Sequence, residues 1–262
     1  MNLSLHNKNA LVCGSTQGIG KATALALAEL GANVTLLARN EAKLQATLAE
    51  LSTSQGQTHS YLVADFSQPD SLVAVLAPYQ SQEKQIHILV NNTGGPAGGA
   101  IASAKIEEFQ NTFSQHLICN HLLAQAVLEG MKSAGYGRII NVISTSVKQP
   151  LNGLGVSNTI RAAVANWSKT LANEVAKFGI TVNNVLPGAT ETERLQSIIH
   201  NKAVKAASDD AKISEGMKAE IPAGRFGKPE EIANAIAFLA SPAAAYVCGI
   251  NLPVDGGRTG CL

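Results

Sequence analysis

The sequence predicts an α/β protein: one doubly wound, seven-stranded parallel sheet with helices on both faces. Three observations carry that expectation. Short apolar runs alternate with helix-like stretches along all 262 residues. The runs hold apolar residues at successive positions, as strands do when both faces are covered in a parallel sheet. A glycine-rich turn follows the first run and opens a helix-like stretch. Alternation of this kind implies right-handed crossovers and a layered α/β/α domain.

Taken in order, the strand candidates are residues 9–13, 33–38, 60–64, 86–91, 138–143, 180–186 and 250–254. Between them, segments 19–30, 41–51, 71–77, 107–131, 156–178 and 229–239 read as helices. In the second of these, Leu44, Leu48 and Leu51 repeat at the spacing of a one-sided apolar face. No linker, repeat or low-complexity segment interrupts the pattern, so residues 1–262 read as a single domain. One stretch breaks the rhythm. Residues 190–228 are long and polar, and carry Glu191, Glu193, Arg194, Lys202, Lys205, Asp209, Asp210, Lys212, Glu215 and Lys218. Insertions near strand C-termini often cover ligands. A substrate lid and a plain solvated helical excursion are the two readings of this stretch.

Composition narrows the class. Charged residues are 15% of the chain and hydrophobic ones 45%, which excludes a disordered protein. The net charge of +1 offers no electrostatic footprint for nucleic acid or for acidic membranes. The longest uncharged run, 232–254, is broken by Asn234, Pro242, Asn251 and Pro253, so no membrane span is expected. The N-terminal stretch lacks the basic and apolar regions of a signal peptide, and a cytoplasmic location is expected. Cys13, Cys119, Cys248 and Cys261 are scattered and read as small buried hydrophobes in a reducing compartment, with no disulfide and no metal.

The turn after the first strand is Gly14-Ser15-Thr16-Gln17-Gly18-Ile19-Gly20. Glycine permits a tight turn and close approach of backbone to a diphosphate, while the helix that follows offers free N–H groups and the positive end of its dipole. The spacing is G-x-x-x-G-x-G, and here the chain resembles the short-chain dehydrogenase/reductase family, with its Rossmann-type sheet, nearly end to end. Asn91-Asn92-Thr93-Gly94 is similar to that family's Asn-Asn-Ala-Gly, and Pro187-Gly188-Ala189-Thr190-Glu191-Thr192 to its Pro-Gly-x-x-x-Thr. Residues 225–232 and 254–257 resemble its C-terminal signatures. The β-ketoacyl-carrier-protein-reductase-like members are the nearest in character.

The resemblance implies a nicotinamide dinucleotide, held by Gly14, Ser15, Gln17, Gly18, Ile19 and Gly20. The NAD-binding form of the fold places an acid at the end of the second strand. This chain has Ala38 there, followed by Arg39, whose fork suits a 2′-phosphate. NADP(H) is therefore expected over NAD(H), the other reading of Arg39 being a surface charge. Asp65, with Phe66 beside it, aligns with the residues approaching the adenine, unless Asp65 caps a helix. Asn92 and Gly94 are expected along the ribose, with Pro187, Gly188 and Thr192 near the nicotinamide amide or the phosphates.

Family chemistry is hydride transfer with protonation of the substrate oxygen by a Tyr-x-x-x-Lys pair, a Ser polarising the carbonyl and a helix Asn ordering a water. Aligned without gaps, Ser144 retains the Ser position. The Tyr position holds Ser157, the Lys position Arg161 and the Asn position His116. Tyr61, Tyr79, Tyr136 and Tyr246 are followed four residues on by Asp65, Glu83, Ile140 and Ile250, so Tyr-x-x-x-Lys occurs nowhere. A serine hydroxyl is far less acidic than a phenol of pKa about 10. Arg161 keeps the charge to hold the ribose. His116 is either a replacement proton donor titrating near pH 6.5 or a packed helix residue. Lys148 is a weaker cationic candidate, and His121 reads as structural or exposed. Two functions follow: an NADP(H)-dependent oxidoreductase on a carbonyl or alcohol substrate with a rebuilt proton donor, or a catalytically silent NADP(H)-binding sensor or oligomer partner. Lyase or isomerase chemistry on the same fold is a minor third reading. The resemblance also implies a homotetramer or homodimer built through 107–131, 156–178 and 250–254.

Overall fold

The computed structural model describes residues 1–81 and 85–261. Its strands are β1 (Asn9–Cys13), β2 (Asn33–Ala38), β3 (Ser60–Val63), β4 (Ile88–Asn91), β5 (Gly137–Val142), β6 (Ile180–Pro187) and β7 (Asn251–Val254). They form one sheet in the order β3-β2-β1-β4-β5-β6-β7, and every pairing is parallel. The chain winds outward from β1 in one direction, then returns and winds outward the other way from β4. The order therefore reverses between β1 and β4, and a crevice opens there beyond the strands' C-terminal ends.

The helices are α1 (Gly18–Glu29), α2 (Glu41–Leu48), α3 (Pro69–Gln80), α4 (Ile106–Phe113), α5 (Cys119–Ala134), α6 (Gly155–Val175), α7 (Glu193–Lys205), α8 (Asp210–Ala219) and α9 (Pro229–Ala240). Two cores show why both sheet faces are apolar. Ala10 and Val12 of β1 face a cluster with Leu27 of α1, Leu44 of α2 and Ile236 of α9. Leu11 and Cys13, pointing the other way, join Leu76 of α3, Leu123 of α5 and Val175 of α6. The alternation inside a wholly buried strand is the doubly covered sheet that the runs predicted.

A line of buried amides crosses the sheet. Asn91, Asn141, Asn184 and Asn251 stand opposite one another on β4, β5, β6 and β7. Asn91 Nδ2 donates to Asn141 Oδ1 at 2.8 Å, Asn141 Nδ2 to Asn184 Oδ1 at 3.0 Å, and Asn184 Nδ2 to Asn251 Oδ1 at 2.8 Å. Asn141 Nδ2 also donates to Ser168 Oγ of α6 at 2.9 Å.

Several expected boundaries move. Segment 107–131 is one run of helix, but it is built as α4, a π-helical turn Ser114–Ile118 and α5. Segment 41–51 stops at Leu48, and 71–77 extends to Pro69–Gln80, started by a proline in its first turn, where a missing N–H loses no bond. Stretch 190–228 folds into α7 and α8. Their apolar residues Leu195, Ile199 and Met217 close on Ile221 and Phe226 as a small core of their own. A bridge between Thr190 and Gly227 draws the neck of this excursion together. The four cysteines are free thiols, but not all are buried. Cys261 is exposed in the C-terminal tail, where its Sγ donates to Lys148 O. No helix among the described residues is long and apolar enough to cross a membrane.

Candidate active site

The glycine turn lies at the reversal point, and its glycines are there for contact. Gly14 has φ +59, and a Cβ on it would lie 2.6 Å from Asn92 O. A Cβ on Gly20 would lie 2.1 Å from Gly14 O. Neither position accepts a side chain without moving backbone. Asn92 Nδ2 donates to Cys13 O and Gly14 O, both at 3.3 Å, so this amide fastens the exit of β4 to the turn. Gly94 is exposed, with nothing within 4 Å of an added Cβ. The turn is thus closed on its Asn92 side and exposed at Gln17, the shape a dinucleotide's diphosphate needs. Gln17 is the N-cap of α1 without a side-chain cap bond, which leaves the first N–H groups of the helix free.

Several predicted cofactor residues turn out to have a structural duty. Ser15 is fully buried, and its Oγ accepts from Leu37 N of β2 at 3.1 Å. Its side chain fixes the turn from the inside. Gly188 is forced by packing, since a Cβ would lie 2.7 Å from Asp255 Cα. Pro187 pairs with Val254 in the sheet. Thr192 caps α7, its Oγ1 accepting from Leu195 N, and its methyl lies 3.0 Å from the place of a Cβ on Gly18. Asp65 does not cap α3; its Oδ1 accepts from Ser67 N at 2.9 Å in a turn before the helix, whose N-cap is Gln68. That bond and the nearby positive charge of Arg39 hold the Asp65 carboxyl below its ordinary range. Phe66 is half-buried, packs on the α3/α5 core and accepts at its carbonyl from Cys119 Sγ. Arg39 is exposed at the end of β2. Lys43 of α2, which the sequence did not single out, donates to Gln17 Oε1 at 3.4 Å on the rim of the turn.

The second group of residues gathers at the exits of β4 and β5. Ser144 Oγ accepts from Ser146 N at 3.1 Å, which leaves its own hydrogen free to donate. Arg161 is buried on α6, and its Nη1 donates to Val142 O at 3.0 Å. His116 sits in the π-helical turn at 2% exposure. Its Nδ1 meets Thr93 Oγ1 at 2.5 Å, and its Nε2 has no partner among the described residues. Burial, then the charges of Arg161 and Arg194, push the imidazole down to about 2. His116 is therefore neutral across the physiological range, which corrects the expectation of a titration near pH 6.5. Burial and Arg194 also lower Arg161, to about 10. The half-buried Ser157 hydroxyl makes no hydrogen bond among the described residues. Lys148 is exposed, and His121, also exposed, meets Trp167 edge-on.

Two residues came into view only with the structure. Thr93 orients the imidazole. Arg194, noted in the sequence merely as one charge among many, leans from α7 onto the exit of β4, where its Nη2 donates to Pro96 O. The four tyrosines are elsewhere. Tyr61 OH donates to Glu41, Tyr136 OH to Ala240 O, Tyr79 is buried beside α5 and Tyr246 is fully exposed. Among the described residues no cluster of His, Cys, Asp or Glu is arranged to hold a metal.

A reversing parallel sheet with a glycine turn at the reversal, closed by Asn92 just past β4, defines a dinucleotide-binding scaffold. Comparison with known proteins agrees. Residues 14–259 match the family described as Enoyl-(Acyl carrier protein) reductase. The 3-oxoacyl-[acyl-carrier-protein] reductase FabG of Vibrio cholerae serotype O1 is 38% identical over 257 residues, spanning 97% of this chain and 98% of that protein. Among solved structures, L-sorbose reductase from Gluconobacter frateurii, complexed with NADPH and L-sorbose, superposes with a TM-score of 0.92 at 32% identity, covering all of both chains. YwfH, an NADPH-dependent reductase involved in bacilysin biosynthesis, gives 0.91 at 29% identity, covering 97% of this chain and 99% of its own. The chain belongs to the short-chain dehydrogenase/reductase family.

Proposed function

We propose that the protein is an NADP(H)-dependent oxidoreductase that interconverts a small-molecule carbonyl and its alcohol. The observation that carries this reading is the turn 14–20, sterically closed against Asn92 and exposed at Gln17 at the sheet's reversal point. Backbone N–H groups of the turn and of the start of α1 would hold the diphosphate, and Arg39 the 2′-phosphate. Asp65 and Phe66 would border the adenine, and Arg161 the nicotinamide ribose. Bound there, the cofactor supplies a hydride to the substrate carbon. The NADPH complex of the similar L-sorbose reductase supports the choice of dinucleotide.

The chain's own residues handle the oxygen. Ser144, already fixed by Ser146 N, turns its free hydroxyl hydrogen to the carbonyl oxygen. With the Thr93 hydroxyl donating to Nδ1, His116 carries its proton on Nε2 and serves as a neutral N–H donor, not as an imidazolium. Ser157, at the family's tyrosine position, leaves room that a phenol would fill. The α7–α8 excursion serves as the lid. Exposed Ile106, Phe113 and Ile118 on α4 and the π-helical turn support assembly through these helices into a homotetramer or homodimer, in a cytoplasmic setting.

NADPH fluorescence provides the test. NADPH should bind more tightly than NADH, and Arg39→Ala should narrow the gap; equal or absent binding overturns the cofactor assignment. On a carbonyl panel Ser144→Ala should lower the rate by about 10²-fold. A protein that binds NADPH and turns over nothing on a broad panel is not the enzyme proposed.

A further inference from the structure

The oxidoreductase reading uses one feature only in part: it sets Arg161 beside the nicotinamide ribose and gives Arg194 no role. Two arginines converge on Gly95. A Cβ built on that glycine would lie 3.3 Å from Arg194 Nη2 and 3.7 Å from Arg161 Nη2, so both guanidinium groups border the same point just past β4. One is rooted in α6 and the other in the first turns of the lid helix α7. Arg161 is 8% exposed and spends one N–H on Val142 O; Arg194 spends one on Pro96 O. Each guanidinium has five donors, so most remain without a protein acceptor. No carboxylate among the described residues pairs with either of them, whereas Arg225 and Arg258 each have a glutamate partner. A third donor group stands close by, since the field of both arginines reaches His116, whose buried Nε2 is unpartnered.

Two like charges side by side, Arg161 buried and Arg194 exposed at its edge, without a counter-ion, are unfavourable unless a ligand completes them. A forked pair of guanidinium groups matches a planar carboxylate. The cofactor's diphosphate has a separate cradle at the exit of β1, built of backbone N–H groups. We propose that Arg161 and Arg194 form a carboxylate subsite, so that the substrate is a free oxo acid or hydroxy acid and not an acyl thioester. The inference rests on the oxidoreductase reading for the neighbouring reaction centre, but the subsite itself is testable by binding alone. Because Arg194 rides on α7, seating the acid also draws the lid onto the site.

The experiment compares small acids with their neutral esters: acetate, 2-oxobutyrate and acetoacetate against the three methyl esters. Binding is read by thermal shift on the wild-type protein, with and without NADPH. At least one acid should bind tenfold or more tightly than its ester. Arg194→Gln should erase that preference while leaving ester binding and NADPH affinity unchanged, and Arg194→Lys should recover part of it. Arg161→Lys, which keeps the buried charge, should weaken the acid and not the ester when both are read without NADPH, since Arg161 also borders the ribose. Acids and esters binding alike, or no acid binding at millimolar concentration, overturns the subsite. So does an Arg194→Gln protein whose NADPH affinity falls tenfold, because the anion served is then the cofactor's diphosphate. Acid preference without NADPH binding upholds the subsite and sinks only the dinucleotide assignment.

Discussion

His116 shows how strongly a site can set a side chain's chemistry. An imidazole in water takes up a proton near pH 6.5; here burial and two guanidinium charges hold it to about 2. The consequence for stability has a definite sign. Between these values the unfolded chain binds a proton that the folded chain refuses, so acid favours unfolding. The stabilisation is complete above pH 6.5 and is lost as pH falls through 6.5 toward 2, at up to about 1.4 kcal/mol per pH unit for this one group. His116→Asn should therefore flatten the fall in urea-unfolding stability between pH 7.5 and 5 relative to the wild type. Parallel pH profiles would show that the imidazole is protonated in the fold. At this scale the sequence is a partial guide. Gly14 and Gly20 declare themselves because their spacing is local. The duty of Ser15 does not, because its partner is Leu37 N on the next strand. Arg194 looked like one more lid charge because the carbonyl it grips, Pro96 O, is 98 residues away.

Elements whose apolar residues face the main cores were legible from their pattern. All seven strands lie where the runs placed them; β1 and β2 keep the expected ends and the other five shift by one or two residues, because a strand's end depends on its neighbour's length. The π-helical turn Ser114–Ile118 left no such mark: it widens the backbone within a helix-forming sequence, and no residue type announces it. The 190–228 excursion was visible only as a break in rhythm. Its helices give only Leu195, Ile199 and Met217 to the small cluster they share with Ile221 and Phe226, so their apolar signal is thin. The same thinness predicts their dynamics. Hydrogen exchange in α7 and α8 should proceed through local opening well below the global unfolding energy. Met217→Ala, which empties part of that small core, should speed exchange in both helices by tenfold or more and leave β1, β4 and β5 unchanged. Equal acceleration in the sheet would mean that the excursion is not a separate cooperative unit.

Across the whole molecule, the order of the strands does most to position function. The reversal between β1 and β4 puts the glycine turn, Asn92 and the exit of β5 along one edge, and this much followed from motif order alone. The amide line that holds that edge together did not, since its bonded members lie 43 to 67 residues apart in the chain. Asn141 is its hub, with bonds to Asn91, Asn184 and Ser168. Asn141→Ala should lower unfolding free energy by roughly 2–4 kcal/mol, because it strands buried donors and acceptors on both neighbours as well as losing its own bonds. A loss under about 0.5 kcal/mol would mean that the line is incidental.

The amides also act as a ruler. Sliding β5 or β7 by a single residue would turn its asparagine to the opposite face, bring an aliphatic residue into its place and leave the neighbouring amides unanswered. Mispaired sheets are thereby rejected at two of the four strands. The last strand to leave the ribosome, β7, with just four residues at the sheet's edge, can seat only where Asn184 waits for Asn251. A row of polar groups in an apolar sheet is thus a proofreading device for assembly, and its far end, Asn91, abuts the residue that clamps the glycine turn.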